Sequence, residues 1–351
     1  MGSSKIFLKK LKNWEYWPTH MFYVPNLPYA FYLALKAKSL TFYTAANPIL
    51  KSSGNGTESK FESLQHIPKK YKPKTILVSP SENLDAVLEK IELEKIEFPL
   101  IVKPDIGFRG LLVQKINTEI ELKKYLKKYP LNIIIQEFIK YKNECGIFYY
   151  RLPNEKTGHI TSITLKKFLS IIGDGKSTLS ELILNDERAS IYYDIFKDIH
   201  REELNLIPKK NKEVLLSSIG NHSKGTQFKN GNGLISDELT TIIQEIEQHI
   251  EGWNYGRLDI KYDTFDKVLS DKKFKILEIN GIISEPTHVF DASTYSYFDA
   301  LKAIRKHWKI LYNVSTTNHE LGNVEYIKPM KFLNDALELR TYIKRVKELS
   351  L

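Results

Sequence analysis

The chain has 351 residues, enough for two or three compact lobes rather than one core. A content of 42% hydrophobic and 27% charged residues excludes an intrinsically disordered chain. The net charge of +10 calls for an anionic partner, but the excess is scattered lysine without an Arg-rich block or zinc spacing, which argues against nucleic acid.

The single cysteine, Cys145, excludes an internal disulfide framework and fits a reducing compartment. No apolar run reaches the ~18 residues of a membrane span, and no signal-peptide pattern opens the sequence. A cytoplasmic location is expected. Residues 14–48 are dense in Trp, Tyr and Phe and broken by Pro18, Pro25 and Pro28. With Lys9, Lys10, Lys12, Lys36 and Lys38 beside them, they have the makings of an interfacial segment at the inner face of a membrane. Packing on the rest of the protein, or forming part of a substrate pocket, is the competing reading. Residues 49–60 form a polar, Gly-containing loop suited to ordering over a ligand.

The pattern then predicts a strand at TILVS, an amphipathic helix with Leu84, Val87, Leu88 and Ile91 on one face, and strands at PLIVKP and LLVQKI. A helix over about 117–129 and a strand at NIIIQEFI complete a small α+β lobe. Strands at GIFYYRLP and HITSITLKKF follow. Next come a GDGKST turn opening a helix, a charged helical region over about 186–204, and a polar loop containing Asn221, His222 and Lys224. A well-patterned helix spans 236–250, and two helices close the chain.

Between them lies the stretch 255–280, YGRLDIKYD and FKILEIN joined by a charged connector. Arg257 and Asp259 sit two apart on one strand, as do Glu278 and Asn280 on the other, so each pair shares a face. Unpaired buried carboxylates are costly. Two carboxylates and an amide oxygen on neighbouring strands therefore suit Mg²⁺ completed by substrate phosphates; a hairpin with its polar face in water is the plainer alternative. Upstream, Lys103 ends a strand and precedes Ile106, Gly107, Phe108, Arg109 and Gly110, a loop whose glycines let backbone N–H groups approach phosphate. Neither the Walker spacing nor a GxGxxG fingerprint is present. The strand ending in Glu137, Phe138 and Ile139 has the character of a connector that holds adenine, with Glu144 within reach of ribose.

Taken in order, Lys60 in ESKF, Lys103 in VKP, QEFI with Glu144, GRLDI and LEIN resemble the ATP-grasp superfamily. The spacing is similar to that of D-alanine–D-alanine ligases and their carboxylate–amine ligase relatives, and GDGKST looks like a turn of cyanophycin synthetase. The resemblance covers roughly residues 58–291. It implies an α+β, ATP-grasp fold with two α+β lobes holding ATP between them, behind a reduced aromatic N-terminal region. The implied divisions are 1–57, a lobe over 58–139, a second lobe with the metal site over 140–310, and a helical tail over 311–351.

It further implies that Lys60 and Lys103 bind ATP phosphates under the loop 106–110, that Glu137, Phe138 and Ile139 hold adenine, and that Glu144 holds ribose. Asp259, Glu278 and Asn280 would bind one or two Mg²⁺ ions, with Mn²⁺ as an alternative. Arg257, with Lys103, would stabilise the transferred phosphoryl group. The implied reaction is ATP-dependent ligation of a small-molecule carboxylate to an amine through an acylphosphate, releasing ADP. An ATP-grasp kinase, or a non-catalytic membrane-associated protein of this fold, is the rival. The usual Rossmann-like first lobe is missing, so substrate identity does not carry over. Asn221, His222, Lys224, Glu285 and His288 are the substrate-contacting candidates.

Overall fold

The computed structural model describes residues 3–107, 110–322 and 324–350. Phe108 and Arg109 of the expected phosphate loop lie outside the described residues.

Two antiparallel sheets carry the architecture. The first has β1 (Thr75–Val78), β2 (Leu100–Pro104), β3 (Gln114–Ile116) and β4 (Ile133–Glu137), in the order β1-β4-β2-β3. The helices Leu84–Leu93 and Glu119–Lys128 cover it, each opened by a side-chain cap, Asn83 and Thr118 respectively. Their apolar stripes, including Val87, Ile91, Leu122 and Tyr125, meet Leu100, Val102, Ile133 and Ile135 in one buried core. Val346 of the C-terminal helix Pro329–Leu349 inserts into the same core, so the end of the chain closes this lobe.

The second sheet has β5 (Asn143–Tyr150), β6 (His159–Lys167), β9 (Gln227–Asn230), β10 (Tyr255–Tyr262) and β11 (Phe274–Asn280), in the order β11-β10-β5-β6-β9. Between β6 and β9, β7 (Ser170–Ile172) and β8 (Glu213–Leu215) pair as a small ribbon beside the helices Leu179–Asn185 and Tyr193–Ile199. Side-chain alternation divides the large sheet into two faces. Cys145, Ile147, Tyr149, Ile163, Leu258, Ile260, Ile276 and Ile279 turn to one face and pack on the helix Asp237–Glu247. The opposite face carries Glu144, Gly146, Thr164, Lys166, Arg257, Asp259, Glu278 and Asn280.

The helix Tyr297–Gly322 runs through position 310, where a division between the second lobe and the tail is expected. The aromatic N-terminal segment packs along this helix. Phe22 meets Ala300 and Ile304, while Leu33 and Phe42 lie against Trp308 and Tyr312. Asn47 ties the segment to β10: its amide oxygen accepts from the N–H of Asn254 and of Tyr255, at 2.9 Å each, and its amide nitrogen donates to the carbonyls of Tyr255 (2.8 Å) and Ser53 (3.1 Å). Of the two readings of residues 14–48, packing on the protein is thus realised for its buried half. Another half stays outside: Val24, Leu27, Phe31 and Leu35 form an exposed stripe, Leu35 at 79% exposure. Among the described residues, no helix is long and apolar enough to cross a membrane.

Candidate active site

β10 and β11 pair with Arg257 opposite Asn280 and Asp259 opposite Glu278. Directly opposed residues of an antiparallel pair share a face, so all four side chains converge. The register slips just after Asp259, leaving Leu277 as a bulge residue whose carbonyl lies 3.5 Å from Lys103 Nζ. Gly146 of β5 sits beside the pair; a Cβ there would come within 2.8 Å of Arg257 Cδ and 3.1 Å of Asp259 Oδ1, so glycine leaves the space these side chains use.

Most of the charges are paired. Arg257 grips Asp259 through two donors, Nε to Oδ1 at 2.7 Å and Nη2 to Oδ2 at 3.2 Å, and its Nη1 donates to the Glu285 carbonyl at 3.3 Å. Lys166 of β6 reaches Glu144 at 2.6 Å and Asp259 at 3.4 Å. Lys60 bonds to Glu278. Burial pushes the Asp259 carboxyl up, and Arg257 and then Lys166 more than reverse this, holding it well below the ordinary range. Glu278 is lowered against its burial, first by Lys60. Lys103 differs: burial lowers it to about 8, opposed by Glu278 and reinforced by Lys60. Its ammonium donates to Gln136 Oε1 at 3.2 Å and forms no ion pair among the described residues.

Local structure explains the placement of the lysines. Ser59 caps the helix Lys60–Gln65, and Asp105, buried just after β2, accepts from the Ser59 hydroxyl (3.0 Å) and the Phe61 N–H (2.9 Å). This clamps the first turn, and Lys60 with it, to the first lobe. Gly107 lies against Lys60: a Cβ on Gly107 would be 3.0 Å from Lys60 Cε. Gly110 adopts φ 72°, which favours glycine, and faces Ile219 of the 217–226 loop. The same loop brings Gly220 onto Glu144.

Between the sheets, the Glu137 N–H and carboxylate are both committed to Lys74, at 2.9 and 3.2 Å. The N–H groups of Phe138 and Ile139 have no acceptor among the described residues, and the Phe138 ring lies between Lys115 of the first sheet and Lys261 of the second. Of the three residues expected at adenine, Glu137 has its N–H and carboxylate engaged by Lys74 within the fold.

The substrate candidates separate. Glu285 lies beside Arg257 and bonds to the Tyr23 hydroxyl. Asn221 lies near Gly110, with its side chain accepting from the Ser223 N–H at 2.9 Å. His222 is not an open contact: its Nε2 is 3.0 Å from the buried carboxylate of Glu15, which Arg188 also holds at 2.7 Å. His288 is likewise used by the fold, with Nδ1 2.6 Å from the Ser162 hydroxyl and Nε2 3.2 Å from the Tyr295 hydroxyl, and burial lowers it to about 4. Lys224 stands in the short turn His222–Lys224, with no site partner among the described residues. Lys166, Asp105 and Gln136 are the site residues that sequence reasoning misses. The alternation in HITSITLKKF puts Lys166 and Lys167 on opposite faces, but which lysine turns inward depends on the sheet's partners.

Asp259, Glu278 and Asn280 supply two carboxylates and an amide oxygen on one face, a donor set that fits Mg²⁺ when phosphate oxygens complete the shell. No cluster of three or more His, Cys, Asp or Glu side chains among the described residues makes a self-sufficient metal site.

No functionally curated protein matches the sequence. Among solved structures, the chain is similar to the D-Ala:D-Ser ligase VanG of Enterococcus faecalis (14% identity, TM-score 0.41, 72% of this chain and 61% of that one). It is similar to the bifunctional glutathione synthetase of Pasteurella multocida (14%, 0.38, 75% and 36%) and the D-alanine–D-alanine ligase of Bacillus anthracis (16%, 0.42, 79% and 72%). It spans less than two thirds of the first two. Residues 57–194 match the family model described as the RimK-like ATP-grasp domain, so this part of the chain has an ATP-grasp fold.

Proposed function

We propose that the protein is an ATP-dependent carboxylate–amine ligase working through an acylphosphate. At the level of the family, the ATP-grasp domain supports this class of reaction. The observation that carries the proposal is the meeting of Lys60, Lys103, Lys166 and Arg257 with Asp259, Glu278 and Asn280 on one sheet face, with the Phe138 and Ile139 N–H groups of the connector at its edge.

In this reading a substrate carboxylate oxygen attacks the γ-phosphorus of ATP and the bond to the β-phosphate oxygen breaks, releasing ADP. The amine nitrogen then attacks the acyl carbon, loses a proton, and phosphate leaves. Lys60, Lys103 and Lys166 orient the phosphates; Arg257 neutralises charge on the moving phosphoryl group and then on the tetrahedral carbon. Asp259, Glu278 and Asn280 would hold Mg²⁺, which would supply charge neutralisation for phosphoryl transfer.

The test is hydroxylamine trapping. The protein is given Mg²⁺, ATP and a panel of amino acids and dicarboxylates, with hydroxylamine as acceptor. A hydroxamate formed in step with ADP supports the ligase; ADP with a stable phosphorylated product and no hydroxamate favours the kinase. Peripheral membrane contact belongs to the same proposal. The stripe Val24, Leu27, Phe31 and Leu35 lies beside Lys36 and Lys38, and is expected to bring the protein down with anionic vesicles in a salt-sensitive manner. No co-sedimentation at low salt would leave the stripe without this role.

A further inference from the structure

Immediately beyond Arg257 a cavity of about 320 Å³ opens between the N-terminal segment, the loop after β11 and the helix Tyr297–Gly322. Tyr23 and Trp308 stack along it with ring centroids 6.0 Å apart and planes 19° from parallel, and Tyr255, Ile282 and Leu311 complete an apolar wall. Glu285 is the one charged side chain among its lining residues, and it forms no ion pair among the described residues. His307 also borders the cavity but is neutral there: Nδ1–H donates to the Ala303 carbonyl at 2.9 Å, Nε2 faces the Thr161 hydroxyl at 3.0 Å, and burial lowers it to about 4.

We infer that this cavity is the acceptor site, and that it takes a primary amine carried on an apolar or aromatic body. The inference rests on the ligase reading and adds the acceptor's chemical class. An aromatic-walled space with one carboxylate attracts a cation through both the carboxylate and the ring faces, and repels an anion. Its place is right for an acceptor, because the Glu285 carbonyl is bound directly to the guanidinium assigned to the reacting carbon. The aromatic segment also gains a role, since Tyr23 supplies one wall and holds the Glu285 carboxylate through its hydroxyl. The Pro-broken aromatic segment thus builds part of the acceptor wall.

The test uses the full chain without nucleotide, with 2-phenylethylamine and 3-phenylpropionate as probes of matched body and opposite charge, followed by calorimetry. The amine is expected to bind saturably and the carboxylate not. Glu285→Gln should weaken amine binding by about tenfold or more, the loss of one desolvated charge partner. Tyr23→Phe, which keeps the ring, should weaken it less. Thermal unfolding at the wild-type temperature in both variants excludes a folding defect. Equal binding of both probes, no saturable amine binding, or wild-type affinity in Glu285→Gln would overturn the pocket. Amine-stimulated ADP release unaffected by Glu285→Gln would overturn the pocket and keep the ligase. Glu285-dependent amine binding without acyl transfer in the hydroxylamine assay would do the reverse.

Discussion

Lys103 is the cation whose removal separates stability from function. Its ammonium is buried with an amide oxygen and a distant carbonyl for company, and its pKa falls to about 8. The folded value lies below the unfolded one, so between about pH 8 and 10 the unfolded chain binds more protons and stability rises with pH. Below pH 8 the charged lysine costs the full difference, on the order of 3 kcal/mol. Lys103→Met keeps the straight side-chain body and removes the charge. It should raise unfolding free energy at pH 7 by roughly 1–3 kcal/mol, the lower end allowing for lost attraction to Glu278, while Mg·ATP turnover disappears. Phosphate binding should reverse the burial penalty and pull a proton onto the lysine. Wild type should therefore take up about half a proton per ATP bound at pH 8, and the Met variant none. Calorimetric titration in two buffers of different ionisation enthalpy reads this directly. A Met variant less stable than wild type, or ATP binding at pH 8 without buffer-dependent heat in wild type, would refute the reasoning.

Asp259→Asn should abolish Mg²⁺-dependent ADP formation and cost several kcal/mol, because Arg257 and Lys166 lose their shared carboxylate; unchanged turnover would remove the metal assignment. Asp259 has a depressed folded value, so its contribution is present above about pH 4 and lost as pH falls through the folded value, and acid titration of the two proteins should diverge there. Gly281→Ala drives a Cβ into the Ser53 carbonyl, so the melting temperature should fall by many degrees, and an unchanged melting temperature would contradict the packing. Asn47→Ala leaves the Asn254 and Tyr255 N–H groups and the Tyr255 carbonyl without their Asn47 partner and should cost roughly 2–4 kcal/mol in denaturant unfolding. Mg²⁺ alone should bind far more weakly than Mg²⁺ with ATP, read by calorimetry with and without nucleotide; equal affinities would mean the carboxylates are free in the resting protein.

Strong local signals carry most of the second lobe into view. Alternation over 255–280 sets Arg257, Asp259, Glu278 and Asn280 on one face, because a one-residue slip would bury the polar set in the core with Leu258 and Ile279. Bulges have no such signal: the one beside Asp259 depends on pairing, and with it the Leu277 carbonyl near Lys103. The contacts of the histidines carry no local signal either. The partners that His222 and His288 hold within the fold, Glu15 and Ser162, lie 207 and 126 residues away. The aromatic segment supports two readings at once since its faces differ. Phe22 and Phe42 lie inward against a helix 250 or more residues later, while Phe31 and Leu35 face out.

The resting site is a nearly closed system of ion pairs, and this governs how it can work. Each carboxylate assigned to metal or ribose already holds a cation assigned to phosphate: Glu278 has Lys60, Asp259 has Arg257 and Lys166, and Glu144 has Lys166. A divalent ion entering alone must take a carboxylate from its cation and leave that cation buried and unpaired. A nucleotide entering alone must take the cation and leave the carboxylate. Either half-step creates an uncompensated buried charge, costing several kcal/mol. On the proposed assignments, the two ligands entering together would exchange partners: the carboxylates would turn to the ion and the ammonium and guanidinium groups to phosphate, so that each charge would stay paired. The coupling between ion and nucleotide is then a property of the pairing itself, and must be felt equally from either side. Lys103 holds no carboxylate among the described residues, so of the four cations proposed to bind phosphate it would do so without first giving up a partner, and phosphate would relieve its burial penalty.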